Sequence, residues 1–478
     1  MYDLIIRNGT LIDGSNTPRR LADVAVSQGM ICAISGTSSG FTSGAREEID
    51  ARGKIVAPGF IDAHTHDDLA VIAEPDMTPK ISQGVTTCVC GNCGVSAAPL
   101  PAGDLPEPLN LVGLAGLPRF HRAADFLAAL RATPSAVNVV PLLGHSALRA
   151  SVMDSVFRAA TSNEIAAMRD LADAALRAGF HGISTGTFYG SAAQATTEEI
   201  IGVCAPLKTL GGVFTTHMRD ESDDVLKSIE ETATIGRALG VKAIISHHKV
   251  AGVQNHGRST ETLKRIAELQ AQQSIGLDCY PYSASSTVLR ADRVRIAEKT
   301  VITVCKPHPE FAGREVGELA RELGKSIDDL CAMLQPAGAT YFMMHEEDVE
   351  RILQYPDTMI GSDGLPMQEK PHPRQWGTFP RVLGHYCRIR GLFSLETAVY
   401  KMSGLVAREF GLRDRGTVAV GRSADITIFD ADTVIDRASF DAPTQPSAGI
   451  ECVIVNGVVA WRDGQHLARP GQLLSRGV

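Results

Sequence analysis

The sequence predicts an α/β protein built on a (β/α)8 barrel of the TIM type, with a doubly wound sheet as the alternative. Eight short apolar segments alternate with helical patterns through the middle of the chain, and β-rich segments lie near both ends. One connection, after the seventh segment, is far longer than a crossover needs. At 478 residues the chain also exceeds the roughly 250–300 residues at which a single core stops growing. We therefore expect the barrel, a small β domain and an insertion.

The predicted barrel strands are separated by segments with helix signals. The strands cover residues 60–66, 85–90, 137–143, 179–184, 212–216, 242–246, 275–280 and 358–361. Between them, Thr161 and Glu164 form a capping-box pattern ahead of an apolar stripe, and Thr196 and Glu199 repeat it. Apolar residues spaced by threes and fours over 395–410 predict a final amphipathic helix.

The two ends of the chain predict one small β-sandwich domain. It combines residues 1–56 with residues 413–478, which are rich in strand-forming residues bounded by Gly, Asp and Asn. Within it, the pairs Asn8-Gly9 and Asn456-Gly457 predict hairpin turns of the primed type.

A long insertion interrupts the barrel after its seventh strand. The barrel occupies residues 57–283 and 347–412, and the insertion 284–346 carries a predicted strand at 300–305 and a helix at 315–323. Because the loops that follow barrel strands emerge at one mouth, we expect the insertion to cover that mouth as a lid. A surface lobe or an oligomer contact is the alternative.

The composition excludes several classes of protein. The net charge of −8 offers no basic field for nucleic acid or an anionic membrane, and the apolar (44%) and charged (21%) contents are ordinary for a soluble globular protein. The N-terminus resembles no signal peptide, and no apolar run approaches ~20 residues. Ten cysteines without framework spacing suggest reduced thiols. We expect a cytoplasmic protein that acts on a small molecule; nothing indicates an oligomeric state.

Polar side chains follow most of the predicted barrel strands. In strand order they are His64 and His66, Cys93, His145, His217, His247 and His248, and Asp363. Because the carboxyl ends of barrel strands converge on one mouth, we expect a metal site there. Imidazole, thiolate and carboxylate ligands suit Zn²⁺, whereas Ca²⁺ and Mg²⁺ prefer more oxygens. The adjacent His247 and His248 face opposite sides, and we choose His247 as the inward ligand.

These residues stand in longer motifs. The motifs are Pro58-Gly59-Phe60-Ile61-Asp62-Ala63-His64, Gly91-Asn92-Cys93-Gly94, Thr216-His217-Met218-Arg219-Asp220-Glu221, Ile245-Ser246-His247-His248-Lys249, Asp278-Cys279-Tyr280-Pro281-Tyr282, Gly361-Ser362-Asp363-Gly364 and His372-Pro373-Arg374. Together with the split β segments they resemble the amidohydrolase superfamily, and within it the D-aminoacylase (N-acyl-D-amino-acid deacylase) family. The resemblance spans essentially the whole chain, including the insertion.

The resemblance implies two metal sites. The first, which holds one Zn²⁺ tightly, consists of Cys93, His217 and His247. The second, weakly filled, shares Cys93 and adds His64, His66 and Asp363. Many relatives bridge two metals with a carboxylated lysine on strand four, but residues 180–186 contain no lysine. We expect Cys93 to act as the bridge.

The same resemblance implies hydrolysis of the amide bond of N-acyl-D-amino acids by metal-activated hydroxide. Asp363 is expected to act as general base toward water and then as general acid toward the leaving nitrogen. Arg374 is the candidate for binding the substrate carboxylate, because a guanidinium matches its geometry. Lys249 and Tyr280 would assist, and Tyr189 would support the developing oxyanion.

The side-chain preference depends on the start of the insertion, where Ser286 is a further candidate contact. Arg290 or Arg293 would recognise an acidic side chain, whereas Val288 and Leu289 would line a pocket for Leu or Met. The family contains both preferences, and we favour apolar substrates.

Three other functions fit the same residues less well. A ring-opening hydrolase of the hydantoinase or dihydroorotase kind normally carries the bridging lysine that strand four lacks. A deaminase would release ammonia instead of a free amine. A scaffold protein built on an inactive barrel usually loses ligand residues, and every expected ligand type is present here.

Overall fold

Eight parallel strands form the predicted barrel. The computed structural model describes residues 1–36, 40–41, 43–112, 117–366 and 370–476. The barrel strands are Phe60–Asp62, Val85–Cys90, Asn138–Gly144, Gly182–Gly186, Val213–His217, Lys242–Ile245, Ile275–Cys279 and Thr358–Ile360, paired in chain order. Hydrogen bonds from Ala63 N to Ile360 O and from Asp363 N to His64 O join the first strand to the eighth. Because the strands pair in chain order and nearly close, the fold is the barrel and not the doubly wound sheet.

Helices follow the barrel strands. They are Ala70–Ala73, Thr78–Ile81, Leu109–Val112, Ala123–Ala132, His145–Val152, Ser162–Ala178, Thr197–Val203, Leu207–Leu210, Val225–Leu239, Ser259–Gln270, Glu346–Gln354, Arg374–Arg381, Leu395–Met402 and Gly404–Phe410, with a 3-10 turn at Val253–Asn255 and a π-helical segment at Val382–Ile389. Apolar side chains from six strands, including Ile61, Val89 and Ile244, pack with helix Gly404–Phe410. This packing fills the barrel below its mouth.

The prediction of one continuous helix over 395–410 was wrong. The chain forms two helices that meet at Ser403, whose backbone leaves the helical region (φ −143°, ψ −81°). The Ser403 hydroxyl donates to the Val399 carbonyl at 2.6 Å. The next residue, Gly404, lies so close to Gly14 that an added Cβ would be 2.1 Å from the Gly14 carbonyl oxygen. Contact with the β domain therefore interrupts a helix whose apolar spacing is regular.

The two chain ends form one nine-stranded mixed sheet. Its strands are Tyr2–Leu11, Arg20–Ser27, Met30–Ser35, Ala45–Asp50, Ile55–Pro58, Ile426–Phe429, Ile450–Val455, Val458–Arg462 and Gln465–His466. Ile55–Pro58 joins the halves, because it pairs with Tyr2–Leu11 on one side and with Ile426–Phe429 on the other. The sheet encloses its own apolar core, which confirms a small β domain built from both ends.

The two predicted hairpins had different outcomes. Asn456 (φ 49°) and Gly457 (φ 79°) connect Ile450–Val455 to Val458–Arg462, as a primed two-residue turn requires. The prediction of a hairpin at Asn8-Gly9 was wrong, because both residues lie inside the single strand Tyr2–Leu11. The pairing register shifts there, which marks a bulge, and Asn8 takes the left-handed conformation (φ 60°).

The insertion is a small α+β unit at the barrel mouth. Its strands Ala284–Val288, Lys299–Cys305 and Ala337–Phe342 form an antiparallel sheet, and it also contains Ala291–Ile296, Pro309–Phe311, Val316–Glu322 and Ile327–Leu334. The strand and the helix predicted within it agree with the structure to within a residue. The Tyr189 hydroxyl lies 3.2 Å from the Thr287 hydroxyl, which ties the first inserted strand to the barrel. Among the described residues, no helix is both long and apolar enough to span a membrane.

Candidate metal centre

Four of the predicted ligands meet at the barrel mouth. Ligand atoms of His64, Cys93, His247 and Asp363 lie within 4.8 Å of one another, and all four residues are buried. The Cys93 Sγ lies 3.3 Å from Nε2 of His64 and 3.3 Å from Nε2 of His247. Asp363 Oδ1 is 3.5 Å from His64 Nε2 and 3.3 Å from His66 Nε2. His66 therefore reaches the same group through Asp363.

A second group shares His247 with the first. It consists of His217, Glu221 and His247, whose ligand atoms also lie within 4.8 Å of one another. The rings of His217 and His247 are 4.3 Å apart between centroids. Glu221 Oε2 lies 3.4 Å from His217 Nε2, and Glu221 Oε1 lies 3.0 Å from His247 Nδ1. The two groups thus form one continuous cluster, which contains all six predicted ligands and one carboxylate that was not predicted.

Three candidate ligands have unusual backbone conformations. Cys93 (φ 55°), His247 (φ 37°) and Asp363 (φ 48°) all lie in the left-handed region, which non-glycine residues adopt rarely. Such conformations cost about 1–3 kcal/mol each and persist where the surrounding structure holds them, often at functional sites. The backbone turns at these residues where their strands end, and the turns direct all three side chains into one cluster.

The loop that carries Cys93 packs tightly against strands three and four. A Cβ on Gly91 would lie 1.9 Å from the Leu142 carbonyl oxygen, so only glycine fits there. The Ser184 hydroxyl donates to the Gly91 carbonyl and accepts the Gly94 N–H at 3.0 Å. Strand four therefore contributes a small hydroxyl that holds the Cys93 loop, in the segment where no lysine is present.

Burial sets the protonation states of the cluster. It lowers the pKa of His64 and of His217 to about 3, and it lowers the pKa of His247 as well. These imidazoles are therefore neutral at neutral pH, which is the form that binds metals. Burial also raises the pKa of the Cys93 thiol well above its usual range. A cation beside the sulfur would reverse this effect and favour the thiolate.

The polar atoms of the cluster fit a zinc ion. Neither ring nitrogen of His217 makes a hydrogen bond, although both are buried, and Nδ1 of His64 and Nδ1 of His66 also lack hydrogen-bond partners. Buried polar atoms without partners are costly unless something else binds them. Neutral imidazoles, a thiol and a carboxylate match the ligand preference of Zn²⁺ better than that of Ca²⁺ or Mg²⁺.

Arg374 is a buried cation next to the cluster. Its side chain is 1% exposed, and Nη2 lies 2.8 Å from Asp363 Oδ2 and donates to the Ser286 carbonyl at 3.0 Å. Its guanidinium lies 4.5 Å from the centre of the Tyr280 ring. Its Nε and Nη1 atoms have no partner, and the Tyr280 hydroxyl also has none. Buried N–H and O–H groups are therefore available to an anion at this position.

The other predicted substrate contacts surround the same space. Lys249 Nζ lies 2.6 Å from Glu221 Oε1, 2.8 Å from His247 Nδ1 and 5.7 Å from the centre of the Tyr280 ring. A small cavity beside the cluster is lined by His66, Val95, Pro108, Tyr189, Ser286, Thr287, Asp363 and Leu365. Tyr189 and Ser286 therefore line the cavity beside the candidate centre, whereas Lys249 does not line it and contacts Glu221 and His247 of the cluster.

Sequence comparison assigns the chain to a family. The model of the amidohydrolase family matches residues 47–237 and 213–460. A D-aminoacylase of Alcaligenes xylosoxydans xylosoxydans is 56% identical, over 98% of this chain and 97% of its own length. The chain belongs to the D-aminoacylase family of amidohydrolases. An N-acyl-D-aspartate deacylase of the same organism is 51% identical, over 99% of this chain and 95% of its own length. Membership makes this amidohydrolase a metal-dependent hydrolase.

Solved structures of the family share the whole fold. A D-aminoacylase with a binuclear metal centre has a TM-score of 0.97 and 55% identity to this amidohydrolase, with 100% of both chains covered. The N-acyl-D-glutamate deacylase of Bordetella bronchiseptica was solved with zinc and a phosphonate mimic of the tetrahedral intermediate. It has a TM-score of 0.95 and 44% identity, with 99% of this chain and 100% of that chain covered.

Two histidines at strand ends lie outside the cluster of this amidohydrolase. His145 begins the helix His145–Val152, and its Nε2 lies 3.3 Å from Glu199 Oε1. His248 turns away from the barrel interior, with Nε2 2.9 Å from the Thr262 hydroxyl. The choice of His247 over His248 therefore agrees with the geometry.

Sequence reasoning missed two carboxylates that contact the cluster. Glu221 stands four residues after His217, within the same motif. Asp278 stands at the end of strand seven, where its Oδ2 lies 3.5 Å from His64 Nδ1 and its Oδ1 accepts the His247 N–H at 2.9 Å. Burial raises the pKa of Asp278 to about 7. Both residues follow barrel strands, as the predicted ligands do, so their position in the chain was the available signal.

Proposed function

We propose that this amidohydrolase uses zinc to cleave the amide bond of N-acyl-D-amino acids, releasing a carboxylate and a free D-amino acid. One observation carries the proposal. A buried guanidinium with unpaired N–H groups, Arg374, lies 2.8 Å from a carboxylate, Asp363, that is itself within 3.5 Å of two histidines of the cluster. A carboxylate-binding group, a base and metal ligands are therefore adjacent, as a substrate with an α-carboxylate next to its amide requires.

We assign the donor atoms to two zinc sites. Cys93, His217 and His247 would hold the tightly bound ion, and a second, weaker site would share Cys93 and add His64, His66 and Asp363. The 3.3 Å contacts from Cys93 Sγ to His64 and His247 support a thiolate shared between them. Bound zinc lowers the pKa of water toward 7 and polarises a carbonyl.

Asp363 would carry the proton during hydrolysis. Burial raises its pKa and the Arg374 guanidinium lowers it, and the balance leaves the pKa well below its usual range. The residue is therefore ionised and able to accept a proton from the attacking water. It would then deliver that proton to the amide nitrogen, which cannot leave as an anion.

The substrate carboxylate would bind Arg374. Its free Nε and Nη1 donors and the unpaired Tyr280 hydroxyl support this assignment. Lys249 would add positive charge from behind Tyr280. Tyr189 and Ser286, which line the cavity, would contact the bound substrate, and the Tyr189 hydroxyl would stabilise the developing oxyanion.

The cavity supports an apolar substrate side chain. Val95, Pro108 and Leu365 line it, and none of its described lining residues is a lysine or arginine. Arg290 is occupied by a two-point ion pair with Asp292, at 2.9 and 3.0 Å, and by the Phe188 carbonyl. Arg293 is buried, with its guanidinium 4.3 Å from the centre of the Phe188 ring. We therefore propose N-acyl-D-methionine and N-acyl-D-leucine as better substrates than the acidic N-acyl-D-amino acids. The D configuration is supported by the relatives' names alone.

A panel of substrates tests the proposal. Zinc-loaded protein would be assayed for free amine and for ammonia with the N-acetyl derivatives of D- and L-methionine, D-leucine, D-aspartate and D-glutamate. We expect amine release, at least 100-fold faster from N-acetyl-D-methionine than from its L isomer, and slower from the acidic substrates. Ammonia release would indicate a deaminase, and equal rates for both isomers would contradict the proposed stereochemistry. We also propose a cytoplasmic location, which the lack of framework spacing among the ten cysteines supports.

A further inference from the structure

Lys80 is a fully buried charge that the proposed chemistry does not use. It lies on the short helix Thr78–Ile81, between barrel strands one and two, and its side chain is 0% exposed. Nζ lies 2.9 Å from Asp62 Oδ2 and 3.1 Å from Asp67 Oδ2, and it donates to the Ser362 hydroxyl at 2.7 Å. We call Lys80, Asp62, Asp67 and Ser362 the Lys80 cluster. Burying three charges is expensive, and an apolar replacement would often be as stable.

The Lys80 cluster connects the segments that carry one half of the candidate centre. Asp62 Oδ1 accepts the backbone N–H of His64 at 3.3 Å and that of Ser362 at 2.7 Å. The Ser362 hydroxyl lies 3.4 Å from the His64 carbonyl oxygen. The cluster therefore ties the end of strand one, with His64 and His66, to the end of strand eight, with Asp363.

The same cluster reaches the loop of Arg374. Asp67 Oδ1 accepts a hydrogen bond at 3.1 Å from Nε2 of Gln375, the residue after Arg374, and Asp67 Oδ2 accepts the Thr65 hydroxyl. Among the described residues, the side chains of the Lys80 cluster form no hydrogen bond or ion pair with Cys93, His217 or His247. Its influence is therefore directed at the second metal site and not at the first.

We propose that Lys80 is a positioning residue that sets the distance between the strand-one histidines and Asp363. Through Asp62 and Ser362 it fixes the position of the end of strand one relative to the end of strand eight. The donor atoms of His64, His66 and Asp363 can then bind one ion, and Asp363 stays next to the substrate amide. The part that concerns turnover rests on the proposed function. The part that concerns metal affinity does not.

The variants separate positioning from the general effect of removing a buried lysine. Lys80→Met keeps the length of the side chain without its charge, and Lys80→Arg restores the charge. Lys401→Met is the matched control, because Lys401 is also about 1% exposed but bonds the carbonyls of Tyr355, Pro356 and Thr358, at the start of strand eight and the opposite end of the barrel.

The experiment measures zinc binding, a spectrum, stability and turnover for each variant. Zinc binding is followed by equilibrium dialysis, the Cys93 site by the thiolate-to-cobalt absorption band of the Co²⁺ form, stability by Tm, and turnover with N-acetyl-D-methionine. For Lys80→Met we expect the second zinc to bind at least tenfold more weakly and kcat to fall at least tenfold. The cobalt band should stay, and KM should change less than threefold. Lys80→Arg should recover part of both losses.

Two outcomes would overturn the proposal. One is a Lys80→Met protein whose second zinc affinity and kcat equal those of Lys401→Met. The other, needed if Lys80→Met does not fold, is a Ser362→Ala protein with unchanged second zinc affinity. That variant removes the hydroxyl that joins Lys80 to strand eight and its contacts with the His64 carbonyl and the Gly364 N–H, and it should weaken the site about threefold. Wild-type protein without activity on any N-acetyl-D-amino acid of the panel would reject the proposed function, while the zinc measurements would still test the role of Lys80.

Discussion

Two histidines of the candidate centre, His64 and His247, each have a carboxylate next to Nδ1. Glu221 lies against Nδ1 of His247, so that Nε2 faces Cys93. Asp278 lies 3.5 Å from Nδ1 of His64, whose Nε2 also faces Cys93. Metal-binding histidines commonly present their second nitrogen to a carboxylate, which fixes the tautomer and the ring orientation. The arrangement therefore selects Nε2 as the ligand atom in both residues.

Replacing Asp363 by Asn should separate metal binding from turnover. The amide keeps an oxygen at the same position but accepts a proton poorly, so the tightly bound zinc should stay while kcat falls at least 1,000-fold. Metal content by mass spectrometry and the rate with N-acetyl-D-methionine check this. Turnover within tenfold of the wild type would remove Asp363 from the role of base.

Replacing Arg374 by Lys should raise KM. The lysine keeps the charge but loses the planar fork, and losing a charged hydrogen bond costs about 1.5–3 kcal/mol, or roughly 10- to 150-fold in affinity. KM for N-acetyl-D-methionine should rise accordingly. N-acetyl-D-methionine amide, which lacks the carboxylate, serves as the control and should be processed with the same KM by both proteins. An equal rise for both compounds would argue against carboxylate binding.

The residue types of the centre could be predicted from the sequence, but their partners could not. Histidines, a cysteine and an aspartate that occur together at the ends of barrel strands indicate a metal site. Glu221 and Lys80 look like ordinary surface charges in the sequence, and only the closed barrel shows that both are buried. Their contacts join segments from different barrel strands, and contacts between residues far apart in the chain produce no local sequence pattern.

At the scale of elements, two similar capping patterns behave differently. Thr161 and Glu164 form the full reciprocal box at the start of Ser162–Ala178. Thr196 accepts the Glu199 N–H at 3.1 Å, but the Glu199 side chain turns instead to Arg149 and to the Ala160 N–H. The hydrogen bond to the Thr196 cap was therefore predictable. The reciprocal bond of the capping box does not form, because the Glu199 side chain makes a tertiary ion pair instead.

Glu199→Gln should destabilise the protein in a pH-dependent way. Burial raises the pKa of Glu199, but His145 and Arg149 lower it further, to about 2 from an ordinary 4.5. A lowered carboxyl pKa contributes stability above the unfolded value, here about 3 kcal/mol, which is lost as pH falls from 4.5 toward 2. Urea unfolding at pH 7 and pH 3.5 should show a difference between wild type and variant that shrinks at the lower pH. A constant difference would contradict the assignment.

Element boundaries were wrong where a distant segment competes with a local signal. All eight barrel strands were predicted, because alternation of strand and helix is a property of the whole segment. The helix break at Ser403 and the bulge at Gly9 depend on contacts with Gly14 and Val56, respectively. Neither contact can be recognised from the residues next to it in the sequence.

At the scale of the molecule, zinc should stabilise the fold. The cluster joins strands one, two, five, six and eight, and a ligand at 100 times its Kd contributes about 2.7 kcal/mol. For a protein of 478 residues, with an unfolding entropy of about 1 kcal/mol/K, we expect chelation to lower Tm by about 3 °C. Calorimetry of chelated, zinc-restored and magnesium-treated protein checks this. The same Tm with and without zinc would mean that no ion is bound in the folded protein.

The sheet built from both chain ends has a consequence for biosynthesis. Ile55–Pro58 leaves the ribosome long before its partner Ile426–Phe429, because the whole barrel lies between them in the chain. Until then, one edge of the N-terminal half has open N–H and C=O groups, which favour pairing with foreign strands. Pairing over such sequence distances is also slow. A cell that makes this protein must therefore shield that edge while the barrel between the two strands is being synthesised.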